Sequence, residues 1–118
     1  MKNYILSIIA VVSFAFAKAQ PNSDYVKENY TKTVENISMR DGVNLYTVIY
    51  APKDTSKEYP MMLQRTCYSV RPYGENEYKS ALGPNKFMME EGYIFVYQDV
   101  RGRWMSEGDF DNMRPHIA

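Results

Sequence analysis

The chain has 118 residues, with 14 basic against 14 acidic side chains, one cysteine and one histidine. Zero net charge leaves no electrostatic footprint for nucleic acid or an anionic membrane surface. A lone cysteine excludes an intramolecular disulfide, and one cysteine with one histidine falls short of a zinc cluster, so neither a metal nor a cofactor is expected.

The first segment, MKNYILSIIAVVSFAFAKAQ, has a basic start at Lys2, an apolar run from Tyr4 to Phe16, and small residues at Ala17 and Ala19. That run is shorter than the ~20 residues a resident span needs, and the Ala-x-Ala site fits cleavage. Residues 1–19 therefore read as a signal peptide, and the mature chain as exported to the periplasm or beyond, with no membrane part other than the export signal. About a hundred residues remain, enough for one small domain with a modest core.

Residues 20–31, QPNSDYVKENYT, are polar and aperiodic, and read as an extended leader ahead of a domain over 32–118. Two Asn-x-Ser/Thr triplets, at Asn29 and Asn36, match a glycosylation pattern that arises often by chance, and no glycan is expected. Thr33 to Met39 alternates and suits a strand. Asp41-Gly42 favours a tight hairpin, because glycine takes positive φ without steric cost. Val43 to Tyr50, rich in β-branched and aromatic residues, makes the return strand.

Met61 to Arg65, MMLQR, has the continuous apolar character of a strand buried on both faces. Thr66 to Leu82 is a long irregular stretch, and loops of that length in compact domains are more often functional than idle. Pro84 suits a first helical turn, KFMMEE continues a helix, and Gly92 is placed to end it. Tyr93 to Tyr97 is a second buried-type strand. Two such strands joined through a helix predict a parallel, right-handed β-α-β crossover beside the antiparallel hairpin, the opening of an α/β sheet.

Several residues invite functional readings. Ser106 in WMSEG half-spells the G-x-S-x-G nucleophile elbow, but Trp104 stands where the elbow needs glycine, and the serine comes one strand early. Ser106 is not the nucleophile. Cys67 has no justified base and reads as a small, partly buried thiol. His116 follows too soon after any serine to complete a triad in the hydrolase order. Asp99, Arg101 and Arg103 read as an ion-pair set bracing a loop at the edge where α/β folds bind ligands. Glu107, Asp109 and Asp111 read as a solvated acidic turn.

The succession MRDGVNLYTVIYAP, YPMMLQRTCYS and MMEEGYIFVYQDVRGRWMSEGDF resembles the start of the catalytic domain of the CocE/NonD hydrolases. This family groups X-prolyl dipeptidyl peptidases, cocaine-esterase-like enzymes, glutaryl-cephalosporin acylases and α-amino-acid ester hydrolases. The PYGENEYKSALGP loop and the secretion signal look nearest to the last of these. The likeness runs from about Tyr25 to Pro115. It implies an α/β-hydrolase that acts on small esters, amides or peptides through a Ser-Asp-His triad and an acyl-serine intermediate. It also implies that the triad lies downstream, so the chain reads as an N-terminal fragment that is catalytically silent alone.

One family role maps onto a residue here. The tyrosine of an R-x-P-Y pattern lends its hydroxyl to the oxyanion hole, and Arg65-Thr66-Cys67-Tyr68 matches it, which makes Tyr68 the candidate catalytic residue. Cys67 stands in place of the proline and relaxes the backbone before Tyr68. The contrasting reading is a small secreted binding module whose tyrosine-rich loop, Tyr68 to Tyr78, is its contact surface. Oligomeric state is unreadable from the sequence.

Overall fold

The computed structural model describes residues 24–112. The proposed signal peptide and His116 lie outside them. Six elements follow in order: α1 (Asp24–Asn29), β1 (Tyr30–Ser38), β2 (Asn44–Pro52), β3 (Met61–Thr66), α2 (Lys86–Glu91) and β4 (Ile94–Asp99). The four strands form one sheet in the order β1-β2-β4-β3. β1 and β2 are antiparallel, β2 and β4 are antiparallel, and β3 runs parallel to β4. The sequence-based expectation of a hairpin beside a parallel β-α-β unit therefore holds.

The hairpin turn is wider than the Asp-Gly pair alone suggests. Ser38 pairs with Asn44, and the loop between them is closed by Met39 N–H donating to Val43 O at 2.8 Å. Asp41 uses its side chain there instead, accepting from Val43 N–H at 3.3 Å and pairing with Arg101 at 2.8 Å. α2 begins two residues later than a turn led by Pro84 would place it. Asn85, in extended conformation, caps it by accepting from Met88 N–H at 3.0 Å, which leaves Pro84 outside the helix. Gly92 ends it with φ 88.

The leader departs from expectation, since residues 24–29 are helical rather than extended. Six residues are too few to hold a helix by propensity. The helix is fixed instead by Val26, which is fully buried, and by Asn29 O accepting from Lys53 N–H at 2.9 Å.

Residues paired across strands share a face, and the two faces differ sharply. One carries Tyr30, Val34, Tyr46, Val48, Tyr50, Phe95 and Tyr97, covered by Val26 of α1, Met89 of α2, and Val70 and Leu82 of the long loop. Each fully buried large side chain contributes about 1.5–3 kcal/mol by leaving water. Tyr50 meets Tyr78 and Tyr97 edge-on, with centroids 5.9 and 6.0 Å apart. Gly83 is required where the loop lies on this face. It has φ +67, and an added Cβ would run into the Phe95 ring.

β3 corrects a sequence-based expectation. It is not buried on both faces: Met61 is 67% and Leu63 52% exposed. Among the described residues it lies at the edge of the sheet with β4 as its one partner, and the face carrying Leu63 beside Val96 is open at that edge.

Candidate functional site

The C-terminal ends of β3 and β4 launch two loops side by side, 66–82 and 100–110, and these build the candidate site. The ladder continues one step past the strands, with Val100 N–H donating to Thr66 O at 3.2 Å. Beyond it the chain turns sharply. Tyr68 N–H donates to Thr66 Oγ1 at 3.0 Å, and Ser69 sits at φ 89, a left-handed conformation uncommon for a residue with a side chain. The Tyr68 side chain stands 85% exposed.

Asp99, the last residue of β4, is fully buried and lies under this turn. Its Oδ1 accepts from Val70 N–H at 3.0 Å. Its Oδ2 accepts from the Tyr73 hydroxyl at 2.9 Å and from Met105 N–H at 3.5 Å. Because Tyr73 donates its only proton to Asp99, the 2.9 Å contact between Ser69 Oγ and Tyr73 Oη has serine as donor. Burial, the larger cause, and the Asp99 carboxylate push the Tyr73 phenol above its ordinary value, against the Ser69 hydrogen bond.

The expected ion-pair set of Asp99, Arg101 and Arg103 does not form. Arg101 turns to Asp41 on the hairpin, and Arg103 lies over the Phe110 ring at 4.8 Å and Trp104 at 5.9 Å. A buried carboxylate can be satisfied by donors aimed at it without a cation, and here backbone amides and a phenol serve.

Ser106 is buried and braces the structure. Its hydroxyl donates to Asp99 O at 2.7 Å and accepts from Tyr46 N–H at 2.9 Å. Both lone-pair and proton are thus engaged in joining loop to sheet, in agreement with its exclusion as a nucleophile. Glu107 is no idle member of an acidic run: its carboxylate accepts from Asn44 N–H at 2.9 Å and Asn44 Nδ2 at 3.1 Å. Gly102, at φ 68, allows the loop to fold back, since an added Cβ would collide with Phe110 N. Trp104 donates from Nε1 to Cys67 O at 2.9 Å, and Arg71 stacks over its ring at 5.1 Å. Gly102, Arg103 and Trp104 line a shallow hollow of about 170 Å³. Cys67 is a half-buried free thiol. Among the described residues no three His, Cys, Asp or Glu side chains cluster as a metal site.

The sequence reading missed Lys32. Its ammonium is drawn under the long loop and donates to Pro72 O at 2.9 Å, Gly74 O at 2.6 Å and Glu77 O at 2.5 Å. Burial lowers its pKa, with Lys79 adding to the fall and Glu77 opposing it. Strand alternation was the available signal, because Lys32 lies between Tyr30 and Val34 on the apolar face. The loop's tyrosines also turn inward. Tyr73 and Tyr78 pack against the core, and Tyr78 Oη accepts from Lys32 N–H at 3.3 Å. Tyr68 alone of the three is exposed, which argues against a tyrosine-rich contact surface.

The mixed four-stranded sheet, with two loops at the C-terminal ends of β3 and β4, is the N-terminal portion of an α/β-hydrolase fold. It superimposes on a structure titled α-amino acid ester hydrolase with a TM-score of 0.59 and 40% identity, over 70% of this chain and 14% of that one. It also superimposes on an aminopeptidase from a marine sediment archaeon, Thaumarchaeota archaeon, with a TM-score of 0.60 and 36% identity, over 80% of this chain and 16% of that one. The chain thus spans about a seventh of the length of these structures. The family model described as X-Pro dipeptidyl-peptidase (S15 family) matches residues 41–118, and the chain belongs to that family. A comparison with curated proteins finds no match.

Proposed function

We propose that this chain supplies the first strands and one side of the active site of an exported serine hydrolase that cleaves ester or peptide bonds through an acyl-serine intermediate. Tyr68 is its oxyanion donor. The observation that carries this reading is the placement of Tyr68: an exposed phenol on an immobilised backbone, at the sheet edge where α/β folds bind ligands. When a nucleophile attacks the scissile carbonyl, negative charge develops on its oxygen. A hydroxyl held within hydrogen-bond reach stabilises that charge, and loss of one such donor costs roughly 10²–10³ in kcat.

Residues 24–112 contain no histidine, and Ser106 is engaged in bracing, so in this reading the nucleophile, acid and base belong to other segments of the enzyme. The open face and free edge of β3 support the same view. Parallel strands are normally covered on both faces, and further strands and helices of a hydrolase domain would cover this one.

The test is to express the full open reading frame and assay α-amino-acid esters, p-nitrophenyl esters and X-prolyl substrates. Turnover blocked by a fluorophosphonate is expected, with Tyr68→Phe lowering kcat about a hundredfold. Absence of such turnover on all three classes overturns the reading. Residues 20–118 alone are expected to hydrolyse p-nitrophenyl esters no faster than buffer. Export is checked by the N-terminus of the secreted protein, expected at Gln20.

A further inference from the structure

We infer that Asp99 is a positioning residue, whose buried carboxylate holds the strained turn carrying Tyr68 and locks it to the neighbouring loop. Its functional consequence rests on Tyr68 acting as the oxyanion donor.

The turn is tied on every side of Tyr68 while the phenol itself stays free. Before it, Cys67 O accepts from Trp104 Nε1 at 2.9 Å. At it, the amide donates to Thr66 Oγ1 at 3.0 Å. After it comes Ser69 at φ 89, a conformation that persists only when its surroundings over-determine it. The next amide, Val70 N–H, donates to Asp99 Oδ1 at 3.0 Å. The Ser69 hydroxyl is captured through Tyr73, which donates to Asp99 Oδ2 at 2.9 Å. One carboxylate therefore reaches the strained residue twice, once through the following amide and once through a hydroxyl relay.

The same Oδ2 accepts from Met105 N–H at 3.5 Å, which brings the second loop into register with the first. Trp104, the residue before it, is the other side-chain-bearing residue with positive φ, at 52, and is the one that holds Cys67 O. Both positive-φ residues thus flank Tyr68, and Asp99 sits between them. Among the described residues its side chain bonds to these two loops and to no other strand of the sheet. A group placed purely to stabilise the sheet would have partners within it. Charged acceptors make the stronger hydrogen bonds, as overcoming local backbone strain requires.

The experiment compares Asp99→Asn and Tyr73→Phe with the wild type in the full chain, by hydrogen exchange resolved along the backbone. Asparagine keeps the shape but turns one acceptor into an NH₂ group facing a donor. Exchange over 66–73 and 103–106 is expected to quicken about tenfold or more in Asp99→Asn, while Tyr46–Tyr50 of β2 stays within about twofold. Tyr73→Phe, which deletes one hydroxyl, is expected to quicken 68–71 by a smaller factor. Equal acceleration throughout the sheet, or no change at 68–71, overturns the inference. Should Asp99→Asn fail to fold, Tyr73→Phe decides alone: unchanged exchange at 68–71 overturns it.

In the full hydrolase, Asp99→Asn is expected to lower kcat about tenfold with KM within about twofold, and to add little in a Tyr68→Phe background. An undiminished loss in that background overturns the positioning role. If Tyr68→Phe itself keeps full kcat, the oxyanion assignment fails, and the exchange result still decides whether Asp99 holds the turn.

Discussion

The two faces of the sheet obey different rules although the same four strands make both. On the covered face Val48, Tyr50 and Phe95 are at most 1% exposed, and the irregular chain between β3 and α2 lies directly on them. A loop on a core must satisfy its backbone groups without a ladder. Tyrosine does this while still filling space: Tyr50 Oη accepts from Lys79 N–H at 3.3 Å and Tyr97 Oη accepts from Gly83 N–H at 2.8 Å, while Tyr30 Oη donates to Met89 O of α2 at 2.7 Å. Lys32 does the same for three loop carbonyls. On the other face the polar pair Thr47 and Gln98 is buried and mutually bonded at 2.8 Å, while Leu63 and Met61 remain open. The covered face is thus a finished aromatic layer with polar tips, and the face at β3 is an apolar surface that the described residues leave open.

That contrast can be broken by mutation. The largest effect is expected for Phe95→Ala, which empties the centre of the covered face and should cost about 3–5 kcal/mol in denaturant unfolding. If the loss is below about 1 kcal/mol, the aromatic layer is not the core.

Next in size is the alkaline limb. Burial, first among the causes, pushes the Tyr30 and Tyr50 phenols up from 10.0 to about 12. A raised folded-state pKa means that the folded chain keeps protons the unfolded chain releases. The stabilisation is therefore complete below pH 10 and is lost as pH rises from 10 towards 12, by about 2 kcal/mol for each tyrosine. Unfolding followed against pH, with tyrosinate absorbance, should show a cooperative transition in that window; tyrosines titrating independently near pH 10 would contradict it.

Lys32→Met should cost about 2 kcal/mol, because it strips three loop carbonyls of their donor. The loss should appear as faster exchange over 72–79, and an effect spread evenly across β1 and β2 would mean that the lysine does not serve the loop.

The smallest effect is expected on the open face. Leu63→Ser should change stability by no more than about 0.5 kcal/mol while reducing self-association in light scattering. A cost comparable to that of Phe95→Ala would erase the distinction between the faces.

How far these features were legible in the sequence follows from what sets each one. Strands β2 and β4 were readable because β-branched and aromatic residues crowd there, and Gly92 marked the end of α2 because its position demands positive φ. The helix at Asp24–Asn29 was not readable, since its sequence is polar and one buried valine holds it. The partners of Asp99 were misassigned for a related reason. Arg101 and Arg103 are its neighbours in sequence, but the strand ending at Asp99 points its carboxylate inward under the turn at Ser69, while both arginines fall on the outward bend.

The sequence by itself determined most of the strands and the hairpin beside a parallel unit, because these rest on local composition and spacing, and its motifs carried the family resemblance. Tertiary structure alone decided that Ser106 is a brace, that Lys32 and the tyrosines anchor the long loop, and that Asp99 lies beneath Tyr68. Each of these depends on hydrogen bonds between residues far apart in the chain, and partners of that kind are chosen by how the sheet brings two loops to one edge.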